Sequence, residues 1–250
     1  MEEKAIIVIQ DLLKRYKNTA KNALDSLNLK VKQGDIYGLL GPNGAGKTST
    51  ISMLCGLLPP DSGEIIINGT NLRSKPDKVK AMIGVVPQEI ALFEDLTAKE
   101  NLMFFGRMHG LKKDEINRRG NDLLEKFSLT EKSNKRVKTF SGGMKRRLNL
   151  MVGIIHGPEI LFLDEPSVGI DVQSKNVIIE YLKEINRSGT TIIYTSHLME
   201  EAEKFCTEIS IIDFGREITK GKPSELLENN KDCENLEDVF LKLTGRNVRE

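Results

Sequence analysis

The stretch at residues 41–49, which reads GPNGAGKTS, restricts the possible folds of this chain more than any other feature. It fits the phosphate-binding pattern G-x-x-x-x-G-K-[ST] and follows a short apolar run at residues 36–40. Glycines let successive backbone N–H groups turn towards an anion, and a helix that begins near Lys47 directs its positive end to the same place. The pattern therefore predicts a polyphosphate site, with a glycine-rich turn that holds no ligand as the alternative. The predicted nucleotide-binding residues are Gly41, Pro42, Asn43, Gly44, Ala45, Gly46, Lys47, Thr48 and Ser49.

Two side chains of this loop have predicted roles. Lys47 is expected to place a positive charge between the β- and γ-phosphates, and the Thr48 hydroxyl is expected to hold Mg²⁺. Kinases, GTPases, motors and transporters all use such a loop, so only the remaining sequence can distinguish between these classes of protein.

The composition excludes several classes of function. The net charge is +1, from 37 basic and 36 acidic side chains, which argues against a dominant nucleic-acid surface. Cys55, Cys206 and Cys233 are scattered and odd in number, which favours reduced packing residues over a disulfide framework or a zinc site. The amino terminus is too acidic for a secretion signal, and no apolar run approaches the roughly 20 residues that span a bilayer. We expect a cytosolic chain whose work at a membrane needs another subunit.

Short β-rich runs at residues 5–9, 23–31 and 36–40 predict a strand-rich layer that leads into the phosphate loop. Tyr16 stands within this part of the chain among basic neighbours. Its ring is suited to stack on a nucleotide base, and an ordinary half-exposed tyrosine is an equally good interpretation.

After the loop, residues 50–58 have helical spacing that stops at two prolines. Residues 64–67 predict a strand that ends in a tight turn at Asn68-Gly69. The next strand, at residues 83–86, leads to Gln88. The amide oxygen of Gln88 is able to reach a metal or an attacking water, or the residue is a polar cap of the strand.

The middle of the chain changes from strands to helices. Thr97 caps a helix with Glu100 three residues later, and residues 112–127 predict a second amphipathic helix. This block is expected to form a subdomain that moves relative to the phosphate-binding core. Residues 140–147, FSGGMKRR, then place the N-cap Ser141 and two glycines before another helix, which predicts a second anion-binding helix terminus or a plain capped helix. Residues 145–147 predict a solvated charge run or a short nucleic-acid contact.

An apolar strand at residues 160–163 ends in Asp164 and Glu165. Asp164 is expected to steady Mg²⁺ through a water, and Glu165 to act as general base, with a structural strand end as the alternative. A helix at residues 172–186 and a strand at residues 191–195 lead to His197. A lone histidine is more often structural, but this position suits contact with a γ-phosphate and the attacking water.

Together these motifs resemble the ATP-binding cassette (ABC) ATPases over nearly the whole chain, in particular those of the single-cassette drug, sodium and polysaccharide exporters. The resemblance implies an α/β fold: a P-loop NTPase core, an antiparallel β layer and an inserted α-helical signature subdomain. It assigns Tyr16 to adenine stacking, Gln88 to Mg²⁺ and subdomain coupling, and His197 to γ-phosphate sensing. The signature Ser141, Gly142 and Gly143 would bind the ATP held by a second cassette in a head-to-tail dimer.

The resemblance also implies an organisation and partners. It predicts one ABC domain at residues 1–250, with a core and β layer at 1–88 and 157–221, a helical subdomain at 89–156 and a helical tail at 222–250. ATP and Mg²⁺, a second cassette and a membrane permease are the expected partners, with no nucleic acid, on the inner face of the cell membrane.

Phe140 and Met144 depart from the commonest signature, LSGGQ, and Ser167 replaces the usual Thr. Met144 leaves the signature serine and its backbone donors in place. The alternative functions are a soluble ABC ATPase that acts on DNA or ribosomes, and a small-molecule kinase that shares only the phosphate loop. The first usually has a coiled-coil insertion or two cassettes in one chain, and the second leaves the signature unexplained.

Overall fold

A computed structural model describes residues 4–17, 19–166 and 169–245 of the chain. The described residues form two compact units. The first comprises the residues up to Ile83 and from Thr191 onwards, and the second runs from Gly84 to Thr190.

The first unit begins and ends the chain and holds most of the strands. Its elements are β1 (Ala5–Lys14), β2 (Leu24–Lys32), β3 (Ile36–Leu40), α1 (Lys47–Leu54), β4 (Ser62–Ile67), β5 (Thr70–Asn71), α2 (Pro76–Lys80), β8 (Thr191–Ser196), α7 (Met199–Phe205), β9 (Glu208–Asp213), β10 (Arg216–Gly221), α8 (Pro223–Glu228) and α9 (Leu236–Thr244).

The predicted strand-rich layer is a four-stranded antiparallel sheet with the order β2-β1-β4-β5. Strand β1 continues to Lys14, beyond the predicted end at residue 9. Its register against β2 shifts between Ile9 and Leu12, and Asp11 has a φ of 46°. This bulge turns the Leu12 side chain inward, where it is fully buried. The strand therefore continues past polar residues that interrupt the alternation of apolar and polar positions in the sequence.

Two turns near the phosphate loop test the predictions for residues 50–69. Helix α1 ends at Leu54, so the prediction that helix extends to residue 58 is wrong. Gly56 has a φ of 67°, and the N–H groups of Gly56 and Leu57 donate to the carbonyls of Met53 and Ser52, which closes the helix with a Schellman motif. The turn at Asn68-Gly69 is confirmed, because both residues have positive φ and β4 pairs with β5 across it.

Strand β3 is the centre of the second sheet of this unit, in which the order is β10-β9-β3-β8. It runs parallel to both β8 and β9, and all five of its residues are buried. Parallel strands of this kind are covered on both faces and bring their carboxyl ends, where functional loops start, to one edge. Strands β9 and β10, which the motifs above do not predict, pair across a turn at Phe214 and Gly215.

The second unit contains the helical block and the acidic strand. Thr97 and Glu100 form the predicted capping box at the start of its first helix. Gly110, with a φ of 77°, separates the two predicted helices. No helix among the described residues is both long and apolar enough to cross a membrane. The elements are β6 (Ile83–Val86), α3 (Ala98–Met108), α4 (Lys113–Lys126), α5 (Gly142–Ile154), β7 (Ile160–Asp164) and α6 (Val172–Arg187), with two short 3₁₀ turns at Thr130–Lys132 and Val137–Thr139.

Candidate functional site

The phosphate loop follows β3 and ends where α1 begins, as the sequence predicts. A Cβ at Gly41 would overlap the carbonyl oxygen of Ile212, so the loop approaches β9 too closely for any other residue. Gly46, the N-cap of α1, has a left-handed φ of 110°. The first turn of α1 contains no acidic residue, although acids normally stabilise this end of a helix. The positive end of this helix is therefore suited to bind an anion.

Lys47 brings a full positive charge to the same loop. Its side chain is almost buried, and Nζ donates to the carbonyl oxygens of Gly41 at 2.8 Å and Pro42 at 3.2 Å. A lysine in the first turn of a helix is placed against the helix dipole. This arrangement, unfavourable for the isolated helix, concentrates positive potential where a polyphosphate would bind.

Tyr16 lies beside the first turn of α1. Its hydroxyl is 3.0 Å from the Ser49 Oγ, and 42% of the residue is exposed. A partly exposed aromatic ring therefore lies close to the phosphate loop, a placement compatible with base stacking.

The second unit holds the acidic residues. Strand β7 is buried throughout, and it delivers Asp164 and Glu165, which are 6% and 7% exposed. Glu165 has a φ of 47°, a conformation that costs free energy in a residue other than glycine and that is frequent at functional sites. The Nε2 of Gln88 donates to Oε2 of Glu165 at 3.2 Å. The structure therefore brings together two of the three predicted catalytic side chains.

The signature turn starts helix α5 in the same unit. Ser141 is its N-cap, with Oγ accepting from the Met144 N–H at 3.3 Å, and the residue is exposed. Gly143 is buried, and a Cβ there would lie 2.5 Å from Ser174 Oγ and 2.7 Å from Asp171 Oδ2. The hydrogen bond from the Ser174 backbone to Asp171 holds the pKa of that carboxyl below its usual value. Ser167 and Val168, which belong to the same predicted motif, lie outside the described residues.

His197 follows β8 in the first unit and is partly exposed. The hydroxyl of Ser196 accepts a hydrogen bond from the Leu198 N–H at 2.9 Å, which fixes the turn on either side of the histidine. The buried Tyr194 of β8 donates to Glu201 of α7 at 3.0 Å. The strand, the turn and the helix are therefore tied together around this residue.

The charged residues 145–147 do not form a solvated run. Arg146 is 3% exposed and donates to backbone carbonyls, Arg147 donates to the Phe127 carbonyl at 2.7 Å, and Lys145 pairs with Glu94. The solvated-run prediction is therefore wrong for Arg146. Helical spacing is the signal that would have found it, because Arg146 lies three residues after Gly143 and four before Leu150, on the buried face of α5.

A family model described as ABC transporter matches residues 24–168, more than half of the 250-residue chain. The chain belongs to the ABC transporter family. This ABC protein is 47% identical over 231 residues to the linearmycin resistance ATP-binding protein LnrL of Bacillus subtilis, an alignment that covers 92% of this chain and 72% of the relative. It is 41% identical over 232 residues to a Nod factor export ATP-binding protein I of Ralstonia nicotianae, covering 93% and 72%.

Solved structures confirm the predicted fold of the ABC protein. An ATP-binding subunit of an ABC transporter superposes with a TM-score of 0.87 at 30% identity, over 96% of this chain and 99% of that one. A dimeric ATP-binding cassette in a post-hydrolysis state, with ADP and phosphate bound, gives a TM-score of 0.78 at 25% identity, over 86% and 98%. The α/β fold with a P-loop NTPase core is confirmed, and the ABC protein is an ATPase that binds ATP. Neither the DNA or ribosome alternative nor the kinase alternative is supported.

Proposed function

We propose that this ATPase drives export through a separate membrane subunit, as the energy-supplying part of an exporter. A relative named for Nod factor export supports this direction of transport. The observation that carries the proposal is the exposed, N-capped signature turn at Ser141, because a site that faces away from its own unit suits a second cassette. Two cassettes would close head to tail on ATP and reopen after hydrolysis.

Each predicted site residue has a role in this proposal. Lys47 and the first turn of α1 would bind the phosphates, and Tyr16 would stack on adenine. Glu165 would accept a proton from the attacking water, while the Gln88 amide that donates to it holds the carboxylate in position. His197 would contact the γ-phosphate.

The residues present are suited to Mg²⁺. Thr48, Asp164 and Gln88 offer a hydroxyl, a carboxylate and an amide oxygen, the hard oxygen ligands that Mg²⁺ prefers. The Gln88 amide nitrogen donates to Glu165, so its oxygen is the atom left for a metal or a water. Bound Mg²⁺ would supply charge neutralisation at the β- and γ-phosphates.

We also propose that the chain is one ABC domain with three parts, whose bounds are predicted from the positions of its motifs. Residues 1–88 and 157–221 would form the nucleotide-binding core with its β layer, residues 89–156 the helical subdomain with the signature, and residues 222–250 the tail. The protein would lie on the cytoplasmic face of the membrane through its permease.

The head-to-tail arrangement predicts a specific effect of Ser141→Asp. Aspartate is as good an N-cap as serine, so helix α5 should keep its stability, but its charge would repel a partner's γ-phosphate. In a Glu165→Gln background with ATP, sedimentation velocity should show a dimer, and adding Ser141→Asp should return the protein to a monomer. Thr139→Ala, an exposed change two residues away, is the control and should leave the dimer intact. A dimer that persists with Ser141→Asp would contradict the composite site.

The helical block carries an apolar surface suited to a membrane partner. Ile90, Phe93, Phe104 and Met108 are 38%, 46%, 41% and 68% exposed, and the rings of Phe93 and Phe104 lie 4.7 Å apart. Exposed apolar groups that cluster in this way are typical of protein–protein contacts.

A double substitution tests this surface. Phe104→Ser with Met108→Ser should leave the ATPase rate of the isolated protein unchanged and weaken its co-purification with a candidate membrane permease by about tenfold or more. Leu243→Ser, which changes another exposed apolar residue in α9, is the control and should not affect association. Equal association of both variants would refute the assignment of the surface.

A further inference from the structure

Arg146 makes an unusual set of contacts for a charged residue. It is 3% exposed, and its guanidinium donates four hydrogen bonds to backbone carbonyl oxygens. Its Nη1 donates to Pro87 at 3.1 Å and Gln88 at 2.6 Å. Its Nη2 donates to Glu165 at 2.6 Å, and its Nε to Pro166 at 2.8 Å. One guanidinium therefore joins two loops of the second unit.

These two loops carry the predicted catalytic side chains. Pro87 and Gln88 follow β6, and Glu165 and Pro166 follow β7. The side chains of Gln88 and Glu165 are themselves hydrogen-bonded at 3.2 Å. Arg146 is thus bonded to the backbone from which both side chains extend.

The contacts require an arginine. A guanidinium offers five N–H donors in a planar fork and is able to reach four carbonyls at once, whereas a lysine ammonium offers three donors at one point. Burial lowers the pKa of Arg146, and the negative charges of Asp164 and Glu165 act in the opposite direction. Because a free guanidinium titrates only above about pH 12, Arg146 remains charged and supplies charge-assisted hydrogen bonds.

The same helix carries the signature serine. Ser141 caps α5 five positions before Arg146. Asn149, one turn further and 1% exposed, accepts from the Ala91 N–H at 3.0 Å and donates to the Pro87 carbonyl at 3.4 Å. Helix α5 therefore presents one end outward and is bonded along its side to the loop that follows β6.

We propose that Arg146 is a positioning residue that sets the geometry of Gln88 and Glu165, and that it couples this pair to the signature turn through helix α5. Contact between Ser141 and the ATP held by a partner chain would then change the positions of Gln88 and Glu165 in the chain that contributes the serine. The coupling rests on the proposed head-to-tail dimer, whereas the positioning role within one chain does not.

The first test separates catalysis from binding and stability. Arg146→Lys should lower kcat for ATP hydrolysis about 10- to 100-fold, because a small displacement of a catalytic group is enough for such a loss, while KM changes little. Arg119→Lys is the control: Arg119 lies in α4 of the same unit and donates to the Ile155 carbonyl at 3.1 Å, away from both loops. We expect Arg119→Lys to keep kcat within about twofold. Melting temperatures of both variants show how much stability each change removes.

The second test asks in which chain Arg146 acts. In a head-to-tail dimer of Arg146→Lys with Ser141→Asp chains, one site combines an intact Arg146 with the partner's intact Ser141. If Arg146 positions its own chain's Glu165, mixing the two variants should restore ATPase activity to at least about fivefold above either variant alone. If Arg146 instead only supports the signature turn at the start of its own helix, the signature turns of both chains are defective. Neither site of the mixed dimer is then intact, and mixing should restore no activity.

A calibration pair separates failure of this proposal from failure of the proposed function. Glu165→Gln mixed with Ser141→Asp should also recover activity, because Glu165 acts in its own chain and Ser141 in the partner. Recovery there but not with Arg146→Lys would overturn the positioning role, and so would a kcat for Arg146→Lys equal to that of Arg119→Lys. No recovery in the calibration pair would count against the head-to-tail site, and with it against the coupling.

Discussion

Glu165→Gln is expected to lower kcat for ATP hydrolysis by about 10²–10⁴-fold, the usual contribution of a general base, while ATP affinity stays within a few-fold of wild type. Glutamine keeps the size of the side chain and an oxygen that still accepts the hydrogen bond from Gln88, but it does not take a proton from water. Single-turnover hydrolysis and equilibrium binding of ATP, measured on the same preparation, separate the two effects.

The chain offers a matched control one residue from Gln88. Glu89→Gln makes the same chemical change at an exposed position and should leave kcat near wild type. Hydrolysis by the Glu165 variant at the rate of the Glu89 variant would show that another group activates the water. Loss of ATP binding together with hydrolysis would instead indicate that Glu165 supports the fold around β7.

The features that local sequence encodes were predicted well. The strand, phosphate loop and helix at residues 36–54 follow from one apolar run and the glycine pattern, because the loop needs only its own backbone. The capping box at Thr97 and the turn at Asn68-Gly69 involve residues at most three positions apart. Fold class followed from the order of such motifs, and the solved structures confirm it.

The features that depend on distant residues were missed or misplaced. Strand β1 extends to Lys14 because a bulge against β2 returns Leu12 to the buried face. The sequence of β1 alone does not predict that bulge. Helix α1 ends early because Gly56 adopts a left-handed conformation, although the apolar spacing continues. The local sequence around Arg146 predicts only a solvated charge run or a nucleic-acid contact, because its four carbonyl acceptors come from loops up to 59 residues away.

Lys47 in the first unit and Arg146 in the second are both buried cations, but their hydrogen-bond partners differ. The guanidinium of Arg146 donates to four backbone carbonyls and so joins the loops that follow β6 and β7. Lys47 donates to two carbonyls of the phosphate loop and lies at the positive end of α1. In our proposal the first arrangement positions catalytic side chains, and the second provides the positive charge that binds the nucleotide.

Lys47→Met should therefore weaken ATP binding about 10- to 150-fold, equivalent to the roughly 1.5–3 kcal/mol of a charge-assisted hydrogen bond, and reduce hydrolysis at subsaturating ATP at least as much. Methionine fills similar space without the charge, so the fold should survive.

Lys14→Met is the matched control, because Lys14 is also almost buried in the first unit but donates to the Pro59 carbonyl and pairs with Asp61 at 2.9 Å. Losing that pair should lower the melting temperature and leave ATP affinity unchanged. Calorimetric titration of both variants with ATP checks the contrast, and equal affinities would mean that the positive end of α1 binds the phosphates without the Lys47 charge.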